Sequence, residues 1–581
     1  MALSSISIFI HCLVDPLPRK QTSKTLPSNH IDFKSAFNVA NWSINQTLVS
    51  PLSAQCIHLT DEDVRIKERR TRAFKHILRK EGEGSHEVLA MIDAIQRLGI
   101  DHHFQDEIDE ILQRQYTIPS YYNDNDLHGL ALRFRLLRQG GYNVSAATYT
   151  GVFDKFKDKE GNFDQKLSDD IRGLMELYEA SQLSIGAEDH ILDEAGDYSH
   201  QLLSSWMTLL DDSQARIIKN TLDHPHHKNL ARFRATNFNR YFHMANIEGW
   251  MNELQELAKI DFQMVQSQNQ QEIFQVAGWW KDLGISKELK FVRNQPLKWY
   301  IWSMATLSDP SLSQQRIDLT KPISFIYIID DIFDVQGSLD ELTLFTEIVK
   351  RWDVEAVEQL PGYMRACFKA LDSVTNEIGY KVYKQHGWNP VHSLRETVHI
   401  PTWASLCKAF LVEARWFASG HLPAAEEYLQ NGIVSSGVHV VLVHIFYLLG
   451  HGVTREGVDF IGNRPAIITS TATILRLWDD LGISKDENQD GHDGSYVECY
   501  VKEHKGSLVE IATKKVTVMI SDAWKQLNQE CLHPNPFSPN FTKSCLNLAR
   551  MVPLMYSYDD NHRLPVLEYY TKSLLFESVS I

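Results

Sequence analysis

FIYIIDDIFDVQGS, residues 325–338, decides how this chain is read. Ile326, Ile328, Ile329, Ile332 and Phe333 surround Asp330, Asp331 and Asp334. In a helix Asp330 and Asp334 stand at i and i+4, share a face, and repel each other. Gly337 reads as the residue that stops the helix. The three carboxylates then lie at the negative end of the helix dipole, where anions are disfavoured. Most DDxxD strings are solvated helix ends. Here the apolar flanks call for burial, and a carboxylate beside a buried face is costly unless paired or metal-bound. A hard divalent cation such as Mg²⁺ offsets both penalties. It takes oxygen ligands, uses few carboxylates, and completes its shell with water and phosphate oxygens.

A second acidic cluster lies about 150 residues on. LRLWDDLGISKDE, residues 475–487, carries Asp479, Asp480 and Glu487 at the end of another apolar run. Asp479 and Glu487, at i and i+8, fall roughly on one helical face. Arg476, one turn before Asp479, suits a phosphate partner, and equally an ion pair with Asp479 or Asp480.

The bulk composition narrows the classes. The 581 residues allow two or more domains with large cores. Hydrophobic content of 43% and charged content of 23% are those of a globular protein. A net charge of −16 without a basic stripe argues against nucleic acid. It also makes a metal more necessary if a phosphate ester is bound. The seven cysteines show no CxxC or other ligand spacing and read as isolated reduced thiols. No uninterrupted apolar run approaches the ~18 residues of a membrane span.

Residues 1–58 differ from the rest. The first 60 residues hold two acids, Asp15 and Asp32, against Arg19, Lys20, Lys24 and Lys34, with abundant Ser and Thr. That composition resembles an organelle transit peptide. A secretory signal and a plain disordered leader are the alternatives; Asp15 and Pro16 cut the apolar segment short.

From about residue 60 the pattern is helical. Val88, Met91, Ile92, Ile95 and Leu98 follow helix spacing after Ser85, a plausible N-cap, and Gly99 closes the run. Phe104, Ile108, Ile111 and Leu112 open the next helix. Ile171, Leu174, Met175 and Tyr178 form a third stripe, with Asp169 and Asp170 expected in its first turn. Ser338 to Glu341 reads as a capping box. Strand-type alternation is absent. The expected fold is all-α in two helical domains, residues 59–260 and 261–581. The polar stretch QMVQSQNQQE, 263–272, precedes a segment rich in tryptophan: Trp279, Trp280, Trp299 and Trp302. Both acidic clusters lie in the second half. DENQDGHDGSYVE, 486–498, begins like a calcium loop, but its twelfth position is Val497 instead of the required Glu.

DDIFD at 330–334, the Arg476-x-x-Asp-Asp-Leu-Gly stretch, and a basic motif about 35 residues ahead of the first cluster together resemble a plant class I terpene synthase. The resemblance covers residues 60–581. It implies a helical N-terminal domain without the active site, and a C-terminal class I terpenoid synthase-like bundle around an apolar pocket. It implies three Mg²⁺ (or Mn²⁺) ions holding the diphosphate of a prenyl substrate. Carried over by position, Asp330 and Asp334 would ligate two ions, and Asp479 and Glu487 the third. Arg293 and Arg476 would face the diphosphate, Trp302 the allylic cation, and Asp331 would pair with a basic neighbour. Ser435, Ser436 and Gly437 would form a helix break facing the cation. The chain is expected to be a monomer, plastidial, with the cytosol as alternative.

Departures from the family pattern refine this expectation. Ile483 stands where the second acidic motif has Ser or Thr, with Ser484 beside it. The two-arginine motif reads Arg293-Asn294-Gln295. Arg69-Arg70 is followed by Arg79 where the cyclising monoterpene branch carries tryptophan. VQGS at 335–338 replaces the usual Val-Tyr-Gly-Thr. The stretches 485–504 and 558–577 resemble the branch that makes acyclic terpene alcohols. The implied activity is water capture to linalool from geranyl diphosphate and nerolidol from farnesyl diphosphate. Deprotonation to myrcene, ocimene or farnesene is the alternative. A chain-elongating prenyltransferase would need a second DDxxD, and the second cluster reads DDLGI.

Overall fold

The apolar stripes become buried helix faces. Val88, Met91, Ile92, Ile95 and Leu98 are all buried along His86–Arg97 and its end. Gly99 closes that helix at φ +69°, a left-handed conformation that glycine adopts without steric cost. Phe104, Ile108, Ile111 and Leu112 are buried at and along Gln105–Thr117. The computed structural model describes residues 60–576 apart from 81–85, 118–125, 147–164, 187–189, 236–248, 392–393, 395–401, 452, 484–493, 506 and 558–563. Ser85 therefore lies outside the described residues. Among the described residues every regular element is helical.

One expectation is corrected in detail. Asp170 is the N-cap of Ile171–Ser181, accepting from Gly173 N at 2.8 Å, and Asp169 ends the short 3₁₀ turn before it. A side-chain acceptor at the cap satisfies an N–H that the first turn leaves unpaired, so the cap wins over the first turn. The capping box is present in full: Ser338 N donates to Glu341 at 3.0 Å and Glu341 N to Ser338 Oγ at 3.5 Å.

Two large apolar cores, with a smaller third around Leu174, Leu203 and Ile218, organise the described residues. One gathers Phe74, Ile92, Phe104, Phe134 and Leu136 with their neighbours. The other, much larger, gathers the helices that carry both acidic clusters. One 34-residue helix, Trp250–Leu283, serves both. Trp250, Met251, Leu254, Leu257 and Ala258 pack in the first core. Phe262, Ile273, Val276 and Trp280 pack in the second. The polar stretch 263–272 is thus the middle of a helix. Several of its polar side chains are buried against partners far along the chain. Gln266 and Gln270 donate to the carbonyls of Ser573 and Leu575, at 3.1 and 2.5 Å. Glu272 receives Arg316 at 2.7 Å and Tyr300 OH at 2.8 Å.

Polar contacts also tie the halves together. Lys543 pairs with Asp101 at 2.8 Å. Asn528 donates to the Gln182 and Ser184 carbonyls and contacts His227 Nε2 at 2.8 Å. The segment Ala425–Leu449 has the length and hydropathy of a membrane span, but 83% of its most apolar window is buried inside the protein. It is also two helices, Ala425–Ser435 and Val438–Leu449, broken at Gly437 with φ +71°.

The second helix of this pair buries two histidines. His439 and His444 both have pKa values pushed down to about 4 by burial. In the unfolded chain they titrate near 6.5. Between pH 6.5 and 4 the unfolded state binds protons that the folded state refuses. Their stabilising contribution is therefore full above pH 6.5 and is lost as pH falls through that window. The melting temperature should drop between pH 7 and 4.5, and the double variant His439→Gln/His444→Gln should show a shallower drop. An equal slope in both proteins would count against this origin.

Candidate active site

Each DD pair divides its labour. In the helix Ser313–Asp331 the apolar residues Ile328 and Ile329 are buried in the core, with Ile332 and Phe333 just beyond it. Ile326 is only half-buried and lines a cavity. Asp331 turns inward, with 6% of its side chain exposed, and accepts from Arg293 N at 2.7 Å while pairing with Arg293 Nε at 2.6 Å. Burial, opposed by that arginine and reinforced by Asp330, pushes its carboxyl up to about 6. Asp330 is 26% exposed, binds Arg293 Nη2, and lines the cavity with Asp334.

The same division recurs at residues 479–480. Asp480 is fully buried and Asp479 is 23% exposed. Asp480 accepts from Arg476 Nε at 2.9 Å, Tyr428 OH at 2.8 Å and Tyr496 N at 3.1 Å. Asp479 lines the cavity, 3.4 Å from Arg476 Nη1. Arg476 also donates to Tyr428 OH and stacks over its ring, 5.2 Å from the centroid. Of the two partners open to Arg476, the structure gives it the ion pair with Asp480 first, and it lines the cavity as well. Its close passage depends on Gly432: a Cβ there would lie 2.7 Å from Arg476 Cδ.

The geometry around the first cluster needs one correction. The α-helix ends at Asp331 and continues as a π-helical turn, Ile332–Gln336, so Asp334 is not on a regular i+4 face. Wide turns of this kind occur frequently at functional sites. Gly337 does stop the helix, but in an extended conformation, φ −78°, ψ 135°. Glycine fits because a Cβ would collide with Leu342 Cδ2 at 2.4 Å.

The cavity has an apolar lining as well as these charges. Trp302, Ile323, Phe410, Val438, Val441 and Leu548 are among its lining. Trp302 is held by Nε1–H donating to Tyr327 OH at 3.0 Å, and Arg293 lies over the Tyr327 ring at 5.2 Å. Ser435 and Ser436 line it at the break before Gly437. Arg293, Asp330, Asp334, Arg476, Asp479 and Trp302 are therefore brought to one cavity. Glu487 and Ser484 lie outside the described residues.

Several lining residues escaped the sequence reading. Glu413 receives Ser435 Oγ at 2.7 Å and Asn431 Nδ2 at 3.0 Å. A charge within the apolar helix Trp403–Ser419 was the available signal. Tyr327 and Lys298 also line the cavity, as does Tyr556. Asp330, Asp334 and Asp479 offer only hard oxygen donors, partly exposed toward one space, a set that fits Mg²⁺.

A second cavity, about 430 Å³, lies where the two cores meet and includes His102, His103 and Asp261. Asp261 is already bound by His103 Nε2 at 2.7 Å and by Arg232 at 3.2 Å, with Lys67 at 3.8 Å. The Arg232 and Lys67 charges oppose a metal ion, and the cluster acts as a clamp between the halves.

Comparison with known proteins agrees with this anatomy. Residues 38–222 match the terpene synthase N-terminal domain, and residues 281–526 the metal-binding domain of the terpene synthase family. The chain belongs to the terpene synthase family, which makes it a lyase with a divalent metal cofactor. It is 98% identical over its full length, and that of the relative, to a probable terpene synthase 13 of Ricinus communis. An (E)-nerolidol synthase of Cannabis sativa is 55% identical, covering 86% of this chain and 90% of that one. An S-(+)-linalool synthase, chloroplastic, of Arabidopsis thaliana is 47% identical over 99% of both. Among solved structures, limonene synthase with 2-fluorolinalyl diphosphate superposes with TM-score 0.83 at 33% identity, covering 90% of this chain and 95% of that one. Isoprene synthase from grey poplar leaves, in complex with three Mg²⁺ ions and a thiolodiphosphate, gives 0.79 at 30% identity, covering 90% and 98%.

Gly432 offers a test of the Arg476 placement. Gly432→Ala adds a good helix former, worth about 1 kcal/mol in a helix. It should nonetheless displace Arg476, which its pair with Asp480 holds in place. Turnover should fall about tenfold or more, as for loss of one charge-assisted contact, with little change in melting temperature. Undiminished turnover would show that Arg476 can shift without consequence.

Proposed function

We propose that the chain ionises geranyl diphosphate, and farnesyl diphosphate, and captures the allylic cation with water to give an acyclic tertiary alcohol, linalool or nerolidol. The observation that carries this reading is the convergence of Asp330, Asp334 and Asp479 with Arg293 and Arg476 on the polar end of an aromatic-lined cavity. The linalool and nerolidol synthases among its relatives support the product class.

Asp330, Asp334, Asp479 and Glu487 would hold the metal, three Mg²⁺ ions on the resemblance. Bound divalent cations would supply the charge that stabilises the departing diphosphate. The chain's own contribution is preorganisation. Arg293 and Arg476 are fixed by Asp331 and Asp480 before substrate arrives, so no reorganisation is required as negative charge develops. The C–O bond breaks heterolytically and its electron pair leaves with the diphosphate. Trp302, fixed by Tyr327, presents a π face that attracts the cation left behind. Water then bonds to the tertiary carbon, and its surplus proton passes to the diphosphate, a stronger base than the lining carboxylates.

Cyclisation of a geranyl chain first needs the diphosphate to return to the tertiary carbon so that the chain can rotate. That requires a well-held ion pair. Gln295 in place of an arginine and the absent tandem-arginine–tryptophan motif favour interception by water. The composition of residues 1–58 and the chloroplastic name of the linalool synthase relative support a plastid location.

Two measurements check this reading. Asp330→Ala and Asp334→Ala should each lower Mg²⁺-dependent turnover by about two orders of magnitude or more, with the helical circular dichroism spectrum retained. Near-normal turnover in either would remove the metal assignment. Chiral gas chromatography should show mainly linalool from geranyl diphosphate and nerolidol from farnesyl diphosphate. A dominant cyclic product would overturn the product assignment and leave the family unaffected.

A further inference from the structure

The polar end of the cavity has a third basic side chain that the two-arginine pattern does not account for. Gln295, which occupies the second arginine's place, is the N-cap residue of the helix Pro296–Thr306. It is not among the residues lining the cavity; Lys298, three residues on, is. The other basic lining groups are Arg293 and Arg476. Arg293 is bound to Asp330 and Asp331, and Arg476 to Asp480.

The helix itself orients Lys298. Lys298 and Trp302 are i and i+4, so they share one face of Pro296–Thr306. Side chains on a helix tilt toward its N-terminus, so the ammonium lies nearer that end than the indole. That end is also the acidic end of the cavity, because Arg293 just before the helix is bound to Asp330. A lysine in the first helical turn is disfavoured by the positive end of the dipole. No side chain caps this helix. An anion in the cavity would attract the Lys298 ammonium.

We propose that Lys298 binds the substrate diphosphate and supplies the positive charge that Gln295 cannot. The assignment rests on the terpene synthase reading of the cavity and adds to it a residue outside the arginine motif. The ammonium is a compact charge on a flexible stem that donates to phosphate oxygens as a point charge. An arginine at 295 would have bound as a planar fork. The substitution therefore moves the third charge one helical turn deeper, alongside the Trp302 face, and exchanges a directional contact for a non-directional one.

Inorganic pyrophosphate with saturating Mg²⁺ is the probe, titrated calorimetrically into the purified full chain. Lys298→Gln should weaken its binding about tenfold to a hundredfold, as expected for a lost charge-assisted hydrogen bond. It should also flatten the dependence of affinity on salt. Lys298→Arg should retain affinity within about threefold, because charge is conserved. Melting temperatures should match across the three proteins. Unchanged affinity in Lys298→Gln overturns the assignment. Equal losses in both variants with a lowered melting temperature also overturn it, since that pattern marks a packing role. A wild-type chain that fails to bind magnesium pyrophosphate overturns the cavity reading itself, and this assignment with it. Asp330→Ala, measured in parallel, distinguishes the cases: it should lose binding whenever the cavity reading holds, whatever Lys298 does.

Discussion

Two arginine–aspartate pairs allow charged helix ends to meet an apolar core. Arg293 with Asp331 and Arg476 with Asp480 each place a nearly dry carboxylate against a guanidinium. Isolated burial of either charge would cost several kcal/mol. Pairing offsets part of that cost and leaves the neighbouring aspartates, Asp330 and Asp479, facing the cavity. In each dipeptide the first aspartate is presented and the second is anchored. Two unrelated helix ends thus reach one solution. The backbone N–H of Arg293, the hydroxyl of Tyr428 and the N–H of Tyr496 complete the anchors, so neither arginine is held by charge alone. The presented carboxylates inherit their positions from the anchored ones.

Most of the architecture was legible because helical periodicity survives in single sequences. The Val88–Leu98 stripe and the capping box at Ser338 carry local signals that the fold obeys, whereas the break at Ser435–Gly437 was implied only by the family resemblance. The exceptions share one cause. Where a polar residue is buried with a partner far along the chain, its local pattern reads as exposure. The stretch 263–272 looked like a polar interval because the partners of Gln266, Gln270 and Glu272 lie at Ser573, Leu575, Tyr300 and Arg316. The site divides in the same way. The aspartates were visible as repelling charges beside apolar runs. Glu413 and Tyr428 were not, since their significance depends on Ser435 and Asp480, contacts that no spacing rule encodes. The π-helical turn at Ile332–Gln336 was equally hidden, for the aspartate spacing is compatible with a regular helix.

The cavity at the acidic clusters and the interface cavity differ in chemistry. Both contain carboxylates beside basic groups. At the interface Asp261 is enclosed by Arg232, His103 and Lys67, and its charge is fully engaged in holding the halves together. Asp330, Asp334 and Asp479 instead share one cavity wall with Arg293, Lys298 and Arg476, so that space can take both a cation and an anion.

The helix Trp250–Leu283 has a consequence for how such a chain can change over generations. The first and second cores read opposite ends of one continuous rod, so their relative rotation is set by the 100° per residue of that rod. Recombination between relatives near residue 260 preserves the fold only if helical phase is kept to the residue. One inserted or deleted position would swing Phe262, Ile273 and Trp280 by a quarter-turn and present polar faces to the core. Crossovers should therefore be inherited intact as substitutions on either side of this rod, while length variation collects in the connections beyond its ends.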